Sequence, residues 1–162
     1  MNPCPCGYYG DKGNTCHCST QAIEKYTRKI SGPLLDRIDI HIRVPRVNYE
    51  DLSSKRKAES SESIRARVSR ARDIQVARLK KYNIFCNAQM NHAMVQEFCN
   101  LTEDAEKNLK EIFESKKLSA RSYDRIKKVA RTIADLDNAT PIITARHIGE
   151  AINLRSDLEF NN

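Results

Sequence analysis

Four cysteines crowd the start of this 162-residue chain: Cys4, Cys6, Cys16 and Cys18, spaced C-x-C-x9-C-x-C, with His17 between the last two. Four thiolates within so short a stretch can surround one tetrahedral Zn²⁺, and the glycines at 7, 10 and 13 let the backbone fold that tightly. Four sulfurs leave no open coordination position, so the expected zinc is structural. The one-residue gaps depart from the usual C-x2-C and strain neighbouring ligands that reach for one ion. Free thiols or oxidation-prone pairs in a cytosolic protein are the competing reading. Cys86 and Cys99 stand alone in sequence and read as ordinary buried or half-buried thiols.

Arginines form the second group with chemical potential. Arg37 sits in the stretch SGPLLDRIDIHIRV, residues 31–44, at the joint between a short helical signal and an alternating apolar run. A guanidinium on such a joint projects from a rigid edge, as needed to meet a phosphate the chain does not itself hold. It can equally pair with Asp36 or Asp39 and stabilise the turn. Arg121 follows Ser119, a residue type that caps helices, so its guanidinium would reinforce the anion preference of a helix N-terminus. Arg125, one turn later, competes for that role but reads as a surface residue. Arg65, Arg67, Arg70 and Arg72 lie on a long predicted helix, where they can contact nucleic-acid phosphates or simply solvate the surface.

The elements that must position these groups follow from capping residues and periodicity. Residues 3–18 are loop, and Thr20 caps a short helix through Ile30. Ser31, Pro33 and Leu34-Leu35 open the next helical turn. Ile38, Ile40, Ile42 and Val44 then alternate with polar residues as a half-buried strand, which Pro45 ends. Residues 46–60 are a polar connector. A long helix is predicted from Ser61 to about Tyr82, with Ile64, Val68, Ala71, Leu79 and Tyr82 as its apolar stripe. Helices over Asn91–Cys99, Thr102–Lys117 and Ser119–Asp137 precede a last one introduced by Pro141 and Thr144. The fold class is therefore mainly α, with one strand, divided into 1–45, 46–60 and 61–162.

Composition narrows the function classes. No apolar run approaches the roughly 20 residues a membrane helix needs and no signal peptide opens the sequence, so a cytoplasmic protein without a membrane partner is expected. The net charge is +7, and residues 46–82 hold eleven Lys/Arg against five Asp/Glu. That local excess favours a polyanion partner such as DNA, though a solvated basic face accounts for it too.

Three stretches carry a family resemblance. Leu34-Leu35-Asp36-Arg37-Ile38-Asp39 resembles the arginine-finger region of AAA+ ATPases, L-L-D-R-[FI]-D. Met1–Gly10 (MNPCPCGYYG) and Leu118–Leu136 (LSARSYDRIKKVARTIADL) resemble two signatures of magnesium-chelatase-like AAA+ ATPases of the ComM/YifB family, in that family's order. The resemblance implies a hexameric motor that drives DNA branch migration in natural transformation, or alternatively a metal-insertion ATPase resembling magnesium chelatase. It implies Arg37 as the finger offered to ATP in a neighbouring subunit, Arg121 as the sensor 2 residue of the helical lid, and Asn2 as sensor 1. Some family members lack the cysteines, so the resemblance gives them no catalytic part. The chain has no G-x-x-x-x-G-K-[ST] and no strand ending in paired acids. ATP and Mg²⁺ are therefore expected only with an N-terminal AAA+ core that this sequence lacks, and the chain alone is expected to be inactive. A free-standing zinc-stabilised nucleic-acid module, with Tyr8 and Tyr9 stacking on bases, is the reading of a different class.

Overall fold

The computed structural model describes residues 1–11, 13–35, 37–42, 44, 47, 49–53, 58–137 and 140–156. Its helices are α1 (Thr20–Thr27), α2 (Gly32–Leu35), α3 (Tyr49–Ser53), α4 (Ser61–Leu79), α5 (His92–Phe98), α6 (Glu103–Ser115), α7 (Ala120–Leu136) and α8 (Ala145–Ser156). Single 3₁₀ turns lie at Lys80–Tyr82 and Asn87–Gln89. The chain is mainly α, as its periodicity predicts.

Helix α7 is the axis of the bundle and packs against α8, α4 and α5. Ser119 accepts from the Ser122 N–H at its start, and Thr102 accepts from Ala105 to start α6, so both predicted caps form. Ile126, Val129, Ala130, Ile133 and Ala134 of α7 meet Leu79, Val95, Leu109, Ile148 and Ala151 in one core. His147 ties down the start of α8. Its Nδ1 accepts from the Thr144 N–H at 3.1 Å, which leaves Nε2–H to donate to Asp137 Oδ2 at 3.2 Å.

Polar groups also lie in this core. Asp135 has a fully buried carboxylate. Arg131 Nε donates to it at 3.1 Å, Asn87 Nδ2 at 2.8 Å, and Arg78 donates to both of its oxygens. Arg131 also caps the carbonyls of Thr140 and Pro141. Together these bonds join α4, the Asn87 turn, α7 and the approach to α8.

Two expectations fail. The first is the strand: the described part of the Ile38–Val44 run forms none, and Ile38, Ile40 and Ile42 stand exposed, as an apolar face without neighbouring strands should be. Alternation yields a strand only when a neighbour offers a ladder, and among the described residues the only bridge is Leu101 to Ile143. The α4 stripe also divides. Ala71 and Leu79 are buried, whereas Ile64 and Val68 are exposed along with the rest of 61–70, because no described segment covers that half. The connector contains α3, while residues 46, 48 and 54–57 lie outside the described residues, as does Asp36.

The network around Asp135 should dominate mutational sensitivity. Asp135→Ala leaves Arg131 buried without its counter-charge and is expected to cost about 3–5 kcal/mol. A urea midpoint unchanged from wild type would show that the arginine is solvated instead.

Candidate functional site

The Arg37 turn begins at α2, where Arg37 N–H donates to Leu34 O at 3.0 Å and Ile38 N–H to Leu35 O at 3.0 Å. Beyond it, two arginines of the bundle hold the main chain. Arg125, on α7, donates to the Arg37 carbonyl and to the Asp39 carboxylate. Arg155, on α8, donates to Ile38 O at 2.9 Å and Asp39 O at 3.2 Å. The His41 N–H then donates to Leu154 O at 2.6 Å. Three consecutive carbonyls, 37 to 39, are thus covered by two guanidiniums. In each case a single terminal nitrogen, Nη1, donates to both acceptors.

This arrangement corrects the surface reading of Arg125, which is half-buried and ion-paired. It also replaces the pairing of Arg37 with Asp39, since Arg125 takes that carboxylate. The Arg37 side chain is exposed, with no acidic partner among the described residues. Arg121, in the first turn of α7, is exposed as well. Because residues four apart share a helix face, the Arg37 turn is docked one turn beyond Arg121.

His41 closes the docked segment. Its ring is buried, and neither nitrogen has a hydrogen-bond partner among the described residues. Burial lowers its pKa below the ordinary imidazole value and the Arg155 charge adds to this; the carbonyls of Arg155 and Leu35 and the charge of Asp39 pull the other way.

The cysteines converge at the N-terminus. Cys4 Sγ lies 3.3 Å from Cys6 Sγ and 3.7 Å from Cys16 Sγ, Cys6 and Cys16 are 3.6 Å apart, and all four sulfurs fall within 4.8 Å of one another. A tetrahedral Zn²⁺ with bonds of about 2.3 Å has sulfur–sulfur edges of about 3.8 Å. The donor set and spacing therefore fit one closed zinc site, and Cys4, Cys6, Cys16 and Cys18 are the residues that could hold it. Gly7 at φ +84° and Gly10 at φ +75° supply left-handed turns that other residues adopt at a cost. The Tyr8 N–H beside Cys6, followed by the Cys4 thiol, draws the Cys6 pKa down to about 6. At Cys16 the Cys18 N–H acts downward, but desolvation and the neighbouring thiols outweigh it and push the pKa up to about 12. Crowded sulfurs resist successive ionisation, and a bound cation would relieve that resistance. Asn2 packs beside Gly7, 3.7 Å from where a β-carbon would stand. Cys99 is fully buried, its thiol pushed up to about 11 by burial, and Cys86 is half-buried.

The four α4 arginines are exposed but do not act alike. Arg67 is held by Glu59 in a two-pronged pair at 2.8 and 3.2 Å, which leaves Arg65, Arg70 and Arg72 without an acidic partner among the described residues. The structure does not bring this group to the Arg37 turn. Sequence reasoning missed Asp39, His41, Arg125 and Arg155 as one assembly. Its only visible signal was the four-residue spacing of Arg121 and Arg125.

Comparison with known proteins adds a family context. The family model described as magnesium chelatase, subunit ChlI C-terminal, matches residues 58–155, and that of magnesium chelatase, subunit ChlI, matches residues 1–52. The chain is 36% identical to the uncharacterized protein YifB of Escherichia coli over 157 residues, 96% of this chain and 30% of that protein. The YifB of Salmonella typhimurium matches at the same identity and coverage. The competence protein ComM of Haemophilus influenzae is 35% identical, again over 96% of this chain and 30% of its own length. The chain thus spans about 30% of the length of these relatives.

The burial of His41 sets a pH response. Below the ordinary imidazole value of about 6.5 the released segment takes up a proton that the docked ring resists. Docking is therefore fully stable above that pH and weakens as the pH falls toward the lower midpoint of the docked ring. An NMR titration of the His41 ring should give that depressed midpoint, with faster amide exchange at His41 in the same range. A midpoint at the ordinary value would show that the ring is hydrated.

Proposed function

The chain belongs to the magnesium chelatase ChlI family, and from that premise we propose that it is the C-terminal part of a hexameric AAA+ ATPase. The observation that carries this reading is the exposed Arg37, without an acidic partner among the described residues, on a turn fixed to the helix that carries Arg121 in its first turn. Arg37 acts as the arginine finger. It reaches the γ-phosphate of ATP held by a neighbouring subunit and offsets the charge that develops there during hydrolysis. Arg121 touches nucleotide as sensor 2, and α4 to α8 form the lid over it. Nucleotide and Mg²⁺ are held by the N-terminal AAA+ core of the same protein, of which residues 1–45 are the C-terminal end, with Asn2 as its sensor 1. The segment does not hydrolyse ATP by itself.

The motor works on DNA, with branch migration during natural transformation as its task. The name of the competence relative supports this, and so do the uncommitted cations Arg65, Arg70 and Arg72, with Arg67 joining them if Glu59 lets go. Metal insertion of the magnesium chelatase kind is the second reading, favoured by the family's name. The protein works in the cytoplasm; no described helix is long and apolar enough to cross a membrane.

A structural Zn²⁺ on Cys4, Cys6, Cys16 and Cys18 orders residues 1–18. Among the described residues up to 60, only Cys4 and His41 are buried, so this part has no apolar core of its own. Pieces of about 40 residues usually need a metal, disulfide or partner to fold.

Three measurements test these assignments. In the full-length protein, Arg37→Ala should lower kcat for ATP about 10³-fold or more with the KM for ATP little changed; wild-type turnover would remove Arg37 from the finger role. Metal analysis of the unchelated 162-residue chain should find near one zinc per chain, lost in Cys4→Ser. A metal-free chain with ordered residues 1–18 would refute the zinc site. Binding of the chain to duplex DNA should fall steeply with salt, and the Arg65→Ala/Arg70→Ala/Arg72→Ala variant should flatten that slope by about 2–3. An unchanged slope would exclude these phosphate contacts.

A further inference from the structure

We infer that Arg125 and Arg155 are positioning residues for Arg37, joining the finger turn and the nucleotide-sensing end of α7 into one moving body. The inference rests on the reading of Arg37 and Arg121 given above and adds to it a physical link between them. Arg125 lies on α7 four residues after Arg121, and it holds both the carbonyl of Arg37 itself and the carboxylate of Asp39. Arg155 fixes the next two carbonyls from α8. His41 extends the attachment to the carbonyl of Leu154. Since α7 and α8 share a core and are further tied by His147, Asp137 and Arg131, a displacement of α7 carries all three attachments with it.

The consequence concerns communication between subunits. A nucleotide that draws on Arg121 shifts α7, and the shift reaches the Arg37 turn through the guanidinium of Arg125. The finger presented to the neighbouring subunit then reports the nucleotide state of its own. Any element that transmits position this way must be stiff, and charge-assisted bonds from one guanidinium nitrogen to two acceptors meet that need better than apolar contacts on so exposed a segment. What the bundle grips is the backbone of Arg37 and not its guanidinium, which has no acidic partner among the described residues.

The test is a mutant cycle on ATP turnover by the full-length protein. Arg125→Gln should lower kcat by about 10- to 100-fold, as expected when a reacting group is displaced by about an ångström. KM for ATP and the thermal midpoint should stay near wild type, and Arg125→Lys should recover part of the loss. The double variant Arg37→Ala/Arg125→Gln should be no slower than Arg37→Ala alone, because Arg125 acts through Arg37. Additive losses would make Arg125 an independent contributor and overturn the inference, as would wild-type kcat in Arg125→Gln. Full activity in Arg37→Ala would instead refute the finger reading, and the positioning role with it. On the 162-residue chain, amide exchange at Ile38–His41 should quicken in Arg125→Gln, and unchanged exchange there would likewise refute the clamp.

Discussion

The carboxylate of Asp135 is the constraint on which the bundle depends. It has no solvent contact, yet three side chains from three separate stretches donate to it, and one of them, Arg131, continues to the carbonyls that lead into α8. A buried ion arrangement of this kind adds little net stability over a well-packed apolar one, because desolvation offsets much of the attraction. Its effect is on geometry. Apolar contacts among Ile, Val and Ala tolerate a small slip of one helix on another, whereas a carboxylate with its acceptor sites filled does not. The rotation of α7 about its own axis is thereby fixed, and with it the direction in which Arg121 and Arg125 leave the helix seventeen residues long.

The N-terminal part obeys different physics. It buries one thiol and one imidazole among its described residues, half-buries Ile23, Tyr26, Ile30 and Leu35, and exposes Ile38, Ile40 and Ile42. Hydrophobic burial therefore cannot hold it in place. Its order comes from polar attachments: thiols that converge at one end, and main-chain carbonyls gripped by bundle arginines at the other. Such attachments are specific in position but modest in strength, since each competes with water. This division makes the bundle a stiff base and the Arg37 segment a fitting whose hold can change with pH.

How much of this was legible in the sequence depended on the range of the interaction. Ser119 and Thr102 were recognisable as caps because a cap bonds within three residues of itself, and the apolar faces of α6 and α7 were recognisable because their period is that of the helix. The cysteines were legible because their own spacing carries the information. The strand was misread because Ile38, Ile40 and Ile42 encode a tendency that needs a second strand, and the described chain offers none. The α4 stripe was misread at Ile64 and Val68 for the same reason: periodicity marks the face that would be covered and does not supply the cover. Arg125 and Asp39 are 86 residues apart, and Arg155 and Ile38 are 117 apart. No local pattern announces such pairs, so the clamp was invisible, and Asp39 looked like a partner for the arginine two residues before it.

The pairing pattern then separates the arginines by what their surroundings leave them free to do. Arg78 and Arg131 are committed to Asp135, Arg125 to Asp39 and the Arg37 carbonyl, Arg146 to Asp137, and Arg155 to two carbonyls. A guanidinium engaged in this way has few donors left for a ligand. Around the docked turn and the start of α7, the exposed arginines without an acidic partner among the described residues are Arg37 and Arg121. A guanidinium on a fixed backbone with no acidic partner among the described residues does nothing for the stability of the chain, and pairing Arg37 with the nearby Asp39 would have been the simpler local solution. The structure instead assigns Asp39 to Arg125, which both anchors the turn and removes the carboxylate that would compete for Arg37. Among the described residues, Arg37 is thus fixed at its backbone while its side chain keeps no acidic partner.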